Sequence, residues 1–273
     1  MIQAITDFTP YLSFVRSFEN DKNFSNPNFS TEEELEEHLI KTLTKPGREP
    51  IGSFDGDEVK GIFTLLVIPE ESYIEVLACL SREAFAYDEL ISYIKKNYPG
   101  YEADFVFNPG NYLLKERLSE QNAEFDIEQQ KMNYTHAHPE TSTEGIVEYS
   151  PEYKEGYFAI HRQDLYWTAE KVVKATERYH TYLAIEDGKV VGYIDVTYCF
   201  KENEPYDLFV KEEYRRKGYG RKLLAKALET NEDKEMMLLV DIDNVPALNL
   251  YESMGFVKAV NQNSITVFWN VGA

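Results

Sequence analysis

The chain has 273 residues, 43% of them hydrophobic, and carries 48 Asp and Glu against 28 Lys and Arg for a formal charge of -20. That length fits two domains of roughly 130 residues with packed cores, and so acidic a balance excludes general nucleic-acid binding, which needs a basic face to displace counterions. Cys79 and Cys199 sit in apolar, strand-like runs without disulfide or metal-ligand spacing, the N-terminus lacks a signal-peptide pattern, and the longest apolar run, residues 62–68, is too short for a membrane span, so a cytoplasmic protein with buried free thiols is expected.

Residues 2–6 read as a first strand, and Tyr11, Phe14, Val15 and Phe18 share one face of a helix starting near Pro10. Residues 21–30, polar, rich in Asn and interrupted by Pro27, read as a loop. Thr31 and Glu34 form a capping-box pattern ahead of Leu35, Leu39, Ile40 and Leu43, and Pro46-Gly47 ends that helix. Residues 50–54 and 59–68 are strands joined by the turn Asp55-Gly56-Asp57, and residues 72–80 form another. Tyr87, Leu90, Ile91 and Ile94 mark a helix closed by Pro99-Gly100. Residues 102–107 read as a strand, 112–118 as a helix and 125–134 as an alternating strand that closes the first half. Residues 136–145, with Pro139 and several Thr and Ser, read as a linker whose His136 and His138 are solvated rather than metal-binding.

The second half repeats this plan. Residues 146–149 are a strand, 151–165 a helix, and Thr168 caps a further helix through Glu170, Val172, Val173 and Ala175. Residues 182–186 and 190–200 form a hairpin around Asp187-Gly188. The run Phe54-Asp55-Gly56-Asp57-Glu58-Val59-Lys60-Gly61 echoes Glu186-Asp187-Gly188-Lys189-Val190-Val191-Gly192, and residues 111–125 echo 244–256. Two copies of one α/β fold follow, with domains expected at 1–135 and 146–273 and the linker at 136–145.

Chemistry concentrates in residues 206–256. The strand Leu208-Phe209-Val210 is followed by Arg215-Arg216-Lys217-Gly218-Tyr219-Gly220-Arg221, and Leu223, Leu224, Ala227 and Leu228 then recur at helical spacing. Glycines opening a helix leave its first N–H groups and positive dipole end accessible to an anion. Lys211, Arg215, Arg216, Lys217, Arg221 and Lys222 cluster here in an otherwise acidic chain. After an apolar strand at 236–240, Asn244 suits an N-cap, Pro246 a first turn and Gly255 the left-handed position past a helix end, which puts Tyr251 in the last turn of a short helix.

The run R-x-x-G-x-G at residues 215–220 resembles the acyl-CoA pyrophosphate loop of the GNAT N-acetyltransferase superfamily, and N-x-x-A-x-x-L-Y-x-x-x-G-F at residues 244–256 resembles its second signature. The resemblance implies tandem GNAT folds, α/β with a mixed and mostly antiparallel sheet, and an acetyl-CoA cosubstrate without a metal. It implies that the backbone of Leu208, Phe209 and Val210 receives the pantetheine arm like an added strand. The segment Arg215, Arg216, Lys217, Gly218, Tyr219, Gly220 and Arg221 would hold the pyrophosphate, and Asn244 would cap its helix and bond the pantetheine amide. Tyr251 becomes the general acid that reprotonates the leaving thiolate, and Asp207 the candidate general base, with Asp195 and Glu204 as alternatives that read as solvated or turn carboxylates. His161, read as a half-exposed helix residue, and Trp167 lie where the family builds its acceptor site.

The first half departs from the pattern. After its strand it reads Ser81-Arg82-Glu83-Ala84-Phe85-Ala86-Tyr87-Asp88, with no glycine pair, and Leu118-Ser119-Glu120 replaces the tyrosine region. The expected activity is therefore transfer of an acetyl or similar acyl group to a small-molecule or peptide amine by direct attack, carried by the second half. A catalytically inactive acyl-CoA sensor is the alternative, and a nucleotide-binding domain fits less well because no Gly-Lys-Ser/Thr loop follows.

Overall fold

The structure, a computed structural model, describes residues 1–19, 21–27, 32–163 and 165–272, without the side chains of residues 32–34. The expected capping box of Thr31 and Glu34 lies outside the described residues. The first part of the chain runs through β1 (Ile2–Ala4), α1 (Leu12–Arg16), α2 (Glu32–Thr42), β2 (Arg48–Asp55), β3 (Glu58–Ile68), β4 (Tyr73–Ser81), α3 (Ala84–Asn97), β5 (Glu102–Phe107), α4 (Tyr112–Glu120), β6 (Glu124–Phe125) and β7 (Gln129–Tyr134). Then come β8 (Ile146–Glu148), α5 (Lys154–Phe158), α6 (Ala169–Lys174), β9 (Tyr179–Glu186), β10 (Lys189–Thr197), β11 (Glu202–Asn203), β12 (Pro205–Val210), α7 (Tyr219–Thr230), β13 (Glu235–Asp241), α8 (Val245–Ser253), β14 (Phe256–Lys258) and β15 (Ile265–Asn270). The fold is mixed α/β with mostly antiparallel pairing.

The chain forms two compact units, one of Met1–Gln130 with Ala259–Ala273 and one of Lys131–Lys258. These bounds differ from a break at 136–145, because the last strand of each half lies in the other half's sheet. The first unit holds one seven-stranded sheet, β1-β2-β3-β4-β5-β15-β6, in which β15 runs antiparallel to β5 from Ile265↔Phe107 to Asn270↔Glu102. The second unit holds two four-stranded sheets, β12-β10-β9-β8 and β11-β13-β7-β14. The expected single strand at 125–134 is thus two, β6 in the first unit and β7 in the second.

In the first unit α3 lays Ala86, Tyr87, Leu90, Ile91 and Ile94 onto Phe63, Leu65, Ile74, Val76 and Phe105. In the second, the sheet led by β10 is covered on both faces. Leu223, Leu224, Ala227 and Leu228 of α7 pack on Ile194, Val196 and Val210, while Tyr157 and Ala169, from α5 and α6, pack on Leu183 and Tyr193 of the opposite face.

The internal repeat is visible in the registers. The strands β4 and β12 each bear a bulge, a feature that bends a strand and re-aims a side chain. Thr64 pairs Ala78 while Leu65 pairs Val76, leaving Leu77 extra; Asp195 pairs Asp207 while Val196 pairs Pro205, leaving Tyr206 extra. Asn111 and Asn244 both cap their helices by accepting the N–H three residues on, from Leu114 at 3.1 Å and from Ala247 at 3.2 Å. Asp187 and Gly188 both take positive φ, 51° and 72°, as a two-residue hairpin turn requires.

Three local expectations change. The helix expected at 151–165 is only the short α5, which stops as His161 turns into the sheet; Gly156 lets α5 press onto β10, since a Cβ there would lie 2.7 Å from Val190. Thr168 stands at the N-cap of α6 in extended conformation without a side-chain capping bond. Cys79 is buried, but Cys199 lies beyond the end of β10 and is exposed.

Candidate active site

The site is built where two neighbouring strands part. Glu202 and Asn203 of β11 pair in parallel with Glu235 and Met236 of β13. Past Asn203 the chain continues as β12, which pairs with β10 and forms the edge of a different sheet. On its other side β12 pairs with no strand among the described residues, so the edge of Asp207, Leu208, Phe209 and Val210 has no strand partner. Gly192 brings β10 close under this edge: a Cβ there would lie 2.7 Å from the Phe209 carbonyl oxygen.

Beyond Val210 the chain wraps into the glycine loop. Arg216 and Gly218 take left-handed conformations, with φ of 60° and 90°, and Gly218 is the N-cap of α7 without a side-chain capping bond. The first amides of α7 are thus left for an anion. A Cβ on Gly218 would meet nothing within 4 Å, and one on Gly220 would approach Leu250 no closer than 3.4 Å, so what these glycines spare is space outside the protein's own atoms.

The loop's cations face elsewhere. Arg215 Nε donates to the Val210 carbonyl at 3.0 Å, Arg221 reaches Ser253 Oγ at 2.7 Å, Lys222 Nζ bonds the Glu144 carbonyl at 2.9 Å, and Lys217 lies 3.9 Å from Glu186 and over the Tyr214 ring. Arg215 thereby ties the loop to the end of β12, and Arg221 ties α7 to the end of α8. Asn244 is exposed and caps α8.

The candidate acid and base sit under the edge. Asp207 is 7% exposed and receives the Tyr193 hydroxyl as hydrogen-bond donor. Burial raises its carboxyl above the ordinary aspartate value; the bond from Tyr193 works against that rise and the neighbouring Asp195 charge adds to it. Tyr251, on α8, is 9% exposed, and its phenol is pushed up to about 12, by burial first and by the Asp207 charge second. It therefore remains a protonated donor at neutral pH.

Asp195 is fully buried, contrary to its reading as a solvated carboxylate. It accepts from Tyr157 at 2.9 Å, Thr181 at 2.6 Å and His161 Nε2 at 3.1 Å. His161 is likewise buried rather than half-exposed. Burial, the largest influence on its ring, favours the neutral form, but the bonds to Asp195 and to the Arg162 carbonyl and the charges of Asp195 and Asp207 outweigh it and raise the pKa. Glu204 is partly buried, and its carboxyl is raised by burial against the pull of Arg178. Trp167 packs edge-on against Tyr179 at 5.1 Å, and Arg178 lies 4.7 Å above its ring. Sequence reasoning missed Tyr157, Thr181 and Tyr193; the available signal was Asp195 itself, an acid inside the apolar strand at 190–200.

A strand, a glycine loop on a helix N-terminus, a second strand and a short helix follow one another here as the acyl-CoA N-acyltransferase fold requires. Residues 177–258 match the family model "Acetyltransferase (GNAT) domain", and this chain carries a domain of that family. Among curated proteins it is similar to an N-alpha-acetyltransferase of Sulfurisphaera tokodaii, 32% identical over 28% of this chain and 54% of that protein. It is also similar to the [ribosomal protein bS18]-alanine N-acetyltransferase of Escherichia coli K12, 30% identical over 30% of this chain and 58% of that protein. The chain thus spans little more than half the length of these relatives. Among solved structures it is similar to a GCN5-related N-acetyltransferase from Sphaerobacter thermophilus, with TM-score 0.66 at 10% identity over 99% of this chain and 95% of that one. A tandem GNAT protein from the clavulanic acid biosynthesis pathway gives TM-score 0.54 at 13% identity over 100% and 99% of the two chains. These structural likenesses extend the fold to both units. Among the described residues no helix is long and apolar enough to cross a membrane and no group of three or more His, Cys, Asp or Glu is placed to hold a metal ion.

Proposed function

We propose that the second unit transfers an acetyl group from acetyl-CoA to an amine by direct attack, as an N-acetyltransferase. The observation that carries this reading is the placement of Asp207 and Tyr251, one a buried carboxylate of raised basicity and the other a protonated phenol, beside the open edge of β12. Bound acetyl-CoA supplies the thioester whose C–S bond breaks as the amine nitrogen forms its bond to the carbonyl carbon. The β12 edge from Leu208 to Val210 positions the pantetheine arm, and the amides following Gly218 hold the pyrophosphate, with Arg216 adding positive charge. Asp207 takes a proton from the attacking amine, and Tyr251 gives one to the departing thiolate, whose reference pKa near 8.5 suits a phenol donor.

The first unit has the same plan without such a site. Arg82, after β4, is held by Asp21 at 2.6 Å and by the Ser17 carbonyl at 2.6 Å, and Asn26 donates to the carbonyl of the bulged Leu77 at 3.4 Å. Its own segment at 21–26 thus bonds to Leu77 and Arg82, which flank the positions matching Asp207 to Val210 of the second unit. We assign this unit a supporting role.

Thermal unfolding with acetyl-CoA tests cosubstrate binding. A ligand at about a hundred times its Kd adds roughly 2.7 kcal/mol, so wild type should shift and Gly220→Glu, with a carboxylate in the anion cradle, should not. For turnover, Tyr251→Phe should lower kcat by roughly ten- to a thousandfold with little change in CoA affinity. The names of the curated relatives make a peptide beginning with alanine the first acceptor to assay. Unchanged turnover in Tyr251→Phe removes that residue from the acid role.

A further inference from the structure

Tyr193 is 0% exposed, and three rings fix its plane. His161 stacks on it at 5.0 Å and 13°, Phe209 lies at 5.9 Å and 28°, and Tyr157 meets it edge-on at 5.2 Å. Its hydroxyl accepts the Arg162 backbone N–H at 3.2 Å and donates to Asp207 Oδ2. A phenol has one hydrogen to donate. Here it goes to Asp207, and the Arg162 amide, by occupying the oxygen's acceptor side, aims it there.

We propose that Tyr193 is the positioning residue of the general base: its clamped hydroxyl holds one oxygen of the Asp207 carboxylate, leaving the other to receive the proton of the incoming amine. This rests on the reading of Asp207 as the base. The charged and titratable groups around Asp207 come from several elements. Asp195 lies opposite on β10, His161 and Arg162 come from the segment after α5, Tyr251 comes from α8, and Tyr193 itself from β10. Asp195 in turn is held by Tyr157, Thr181 and His161, so both carboxylates of this cross-strand pair are fixed by donors.

The repeat provides an internal control. By the shared bulge, Ala78 occupies the register position of Asp207 and Thr64 that of Asp195, and two residues before Thr64 stands Ile62 where the second unit has Tyr193. Ile62 and Ala78 are buried in an apolar cluster. The scaffold therefore folds with no acid or phenol at these positions. The acids and the tyrosine occur together in the unit with the open strand edge, as a positioning role requires.

A donor to a carboxylate favours its ionised form, so removing the hydroxyl should raise the pKa of Asp207. The test is a titration of the full chain followed by ¹³C NMR of the aspartate carboxyls, with Asp207→Asn identifying the signal. In Tyr193→Phe the Asp207 midpoint should rise by about one pH unit or more. With acetyl-CoA and a peptide beginning with alanine, the acid limb of kcat/KM should move up with it while the high-pH plateau stays within about threefold. An unmoved midpoint, or a rate lowered equally at every pH, overturns the proposal. Should Tyr193→Phe not fold, the phenolic proton decides instead: a downfield ¹H signal in wild type that moves upfield in Asp207→Asn supports the bond, and one indifferent to that substitution overturns it. Wild-type turnover by Asp207→Asn would mean instead that the base is misassigned; the titration would still report whether Tyr193 holds the carboxylate.

Discussion

A carboxylate buried beside a second one is held there against its solvation, and for Asp207 the cost has a definite pH dependence. Its folded pKa lies above its unfolded value, so the folded state keeps its proton where the unfolded chain has lost it. The associated stability is fully present below the unfolded value, near 3.9, and is lost as pH rises through the folded one. Asparagine remains neutral and still accepts from Tyr193. Asp207→Asn should therefore unfold at an equal or higher temperature than wild type at pH 7, with the difference shrinking as pH falls toward 4, while its acetylation rate drops by roughly a hundredfold or more. A variant less stable at pH 7 than at pH 4 relative to wild type would contradict this. Asp207 and Tyr251 could be singled out in the sequence because each lies within or next to a short motif. Tyr193, Tyr157 and Thr181 could not, because their partners stand 14 to 38 residues away, and the register of β10 on β9 and β12 with the packing of α5 on that sheet brings them together.

At the scale of elements, glycines separate two kinds of necessity. Gly255 takes φ of 86°, and a Cβ there would lie 2.0 Å from the Ala137 carbonyl oxygen. Gly255→Ala should destabilise the second unit by more than about 2 kcal/mol, from strain and clash together, as denaturant unfolding would measure. Gly218 shares the conformation, with φ of 90°, but has open space around it. Gly218→Ala should cost about 1 to 2 kcal/mol and weaken acetyl-CoA binding in a calorimetric titration, because the displaced backbone carries the pyrophosphate amides. Equal stability losses at the two positions would contradict the distinction. Both glycines were readable as helix punctuation, α3 and α7 through apolar residues at helical spacing, and α8 through its cap signals at Asn244, Pro246 and Gly255. The helix expected at 151–165 failed because its aromatic residues follow the demands of the sheet beneath, which receives Tyr157 and His161, rather than a continuous helical face.

At the scale of the molecule, the division of the chain is the part least visible in its sequence. A linker-like stretch at 136–145 suggests a linear cut, but β7 ends just before it and lies between β13 and β14 of the second unit, while β15 lies between β5 and β6 of the first. An alternating strand shows which of its faces is buried and not in which sheet; that choice is made by long-range pairing. Fragments expose the difference. A fragment spanning residues 146–273 would lack β7, whose Met132 and Tyr134 belong to the second unit's core, and would carry Ile265, Val267 and Trp269 of β15 without the strands that bury them. Exposed apolar strands without pairing partners drive aggregation. Residues 131–258 keep the paired part of β7, Met132–Tyr134, and the other strands of both second-unit sheets together with α7 and α8. This second fragment should remain monodisperse in size-exclusion chromatography and gain thermal stability with acetyl-CoA, whereas 146–273 should aggregate; a well-behaved, ligand-stabilised 146–273 would show that the strand exchange is dispensable to the second unit.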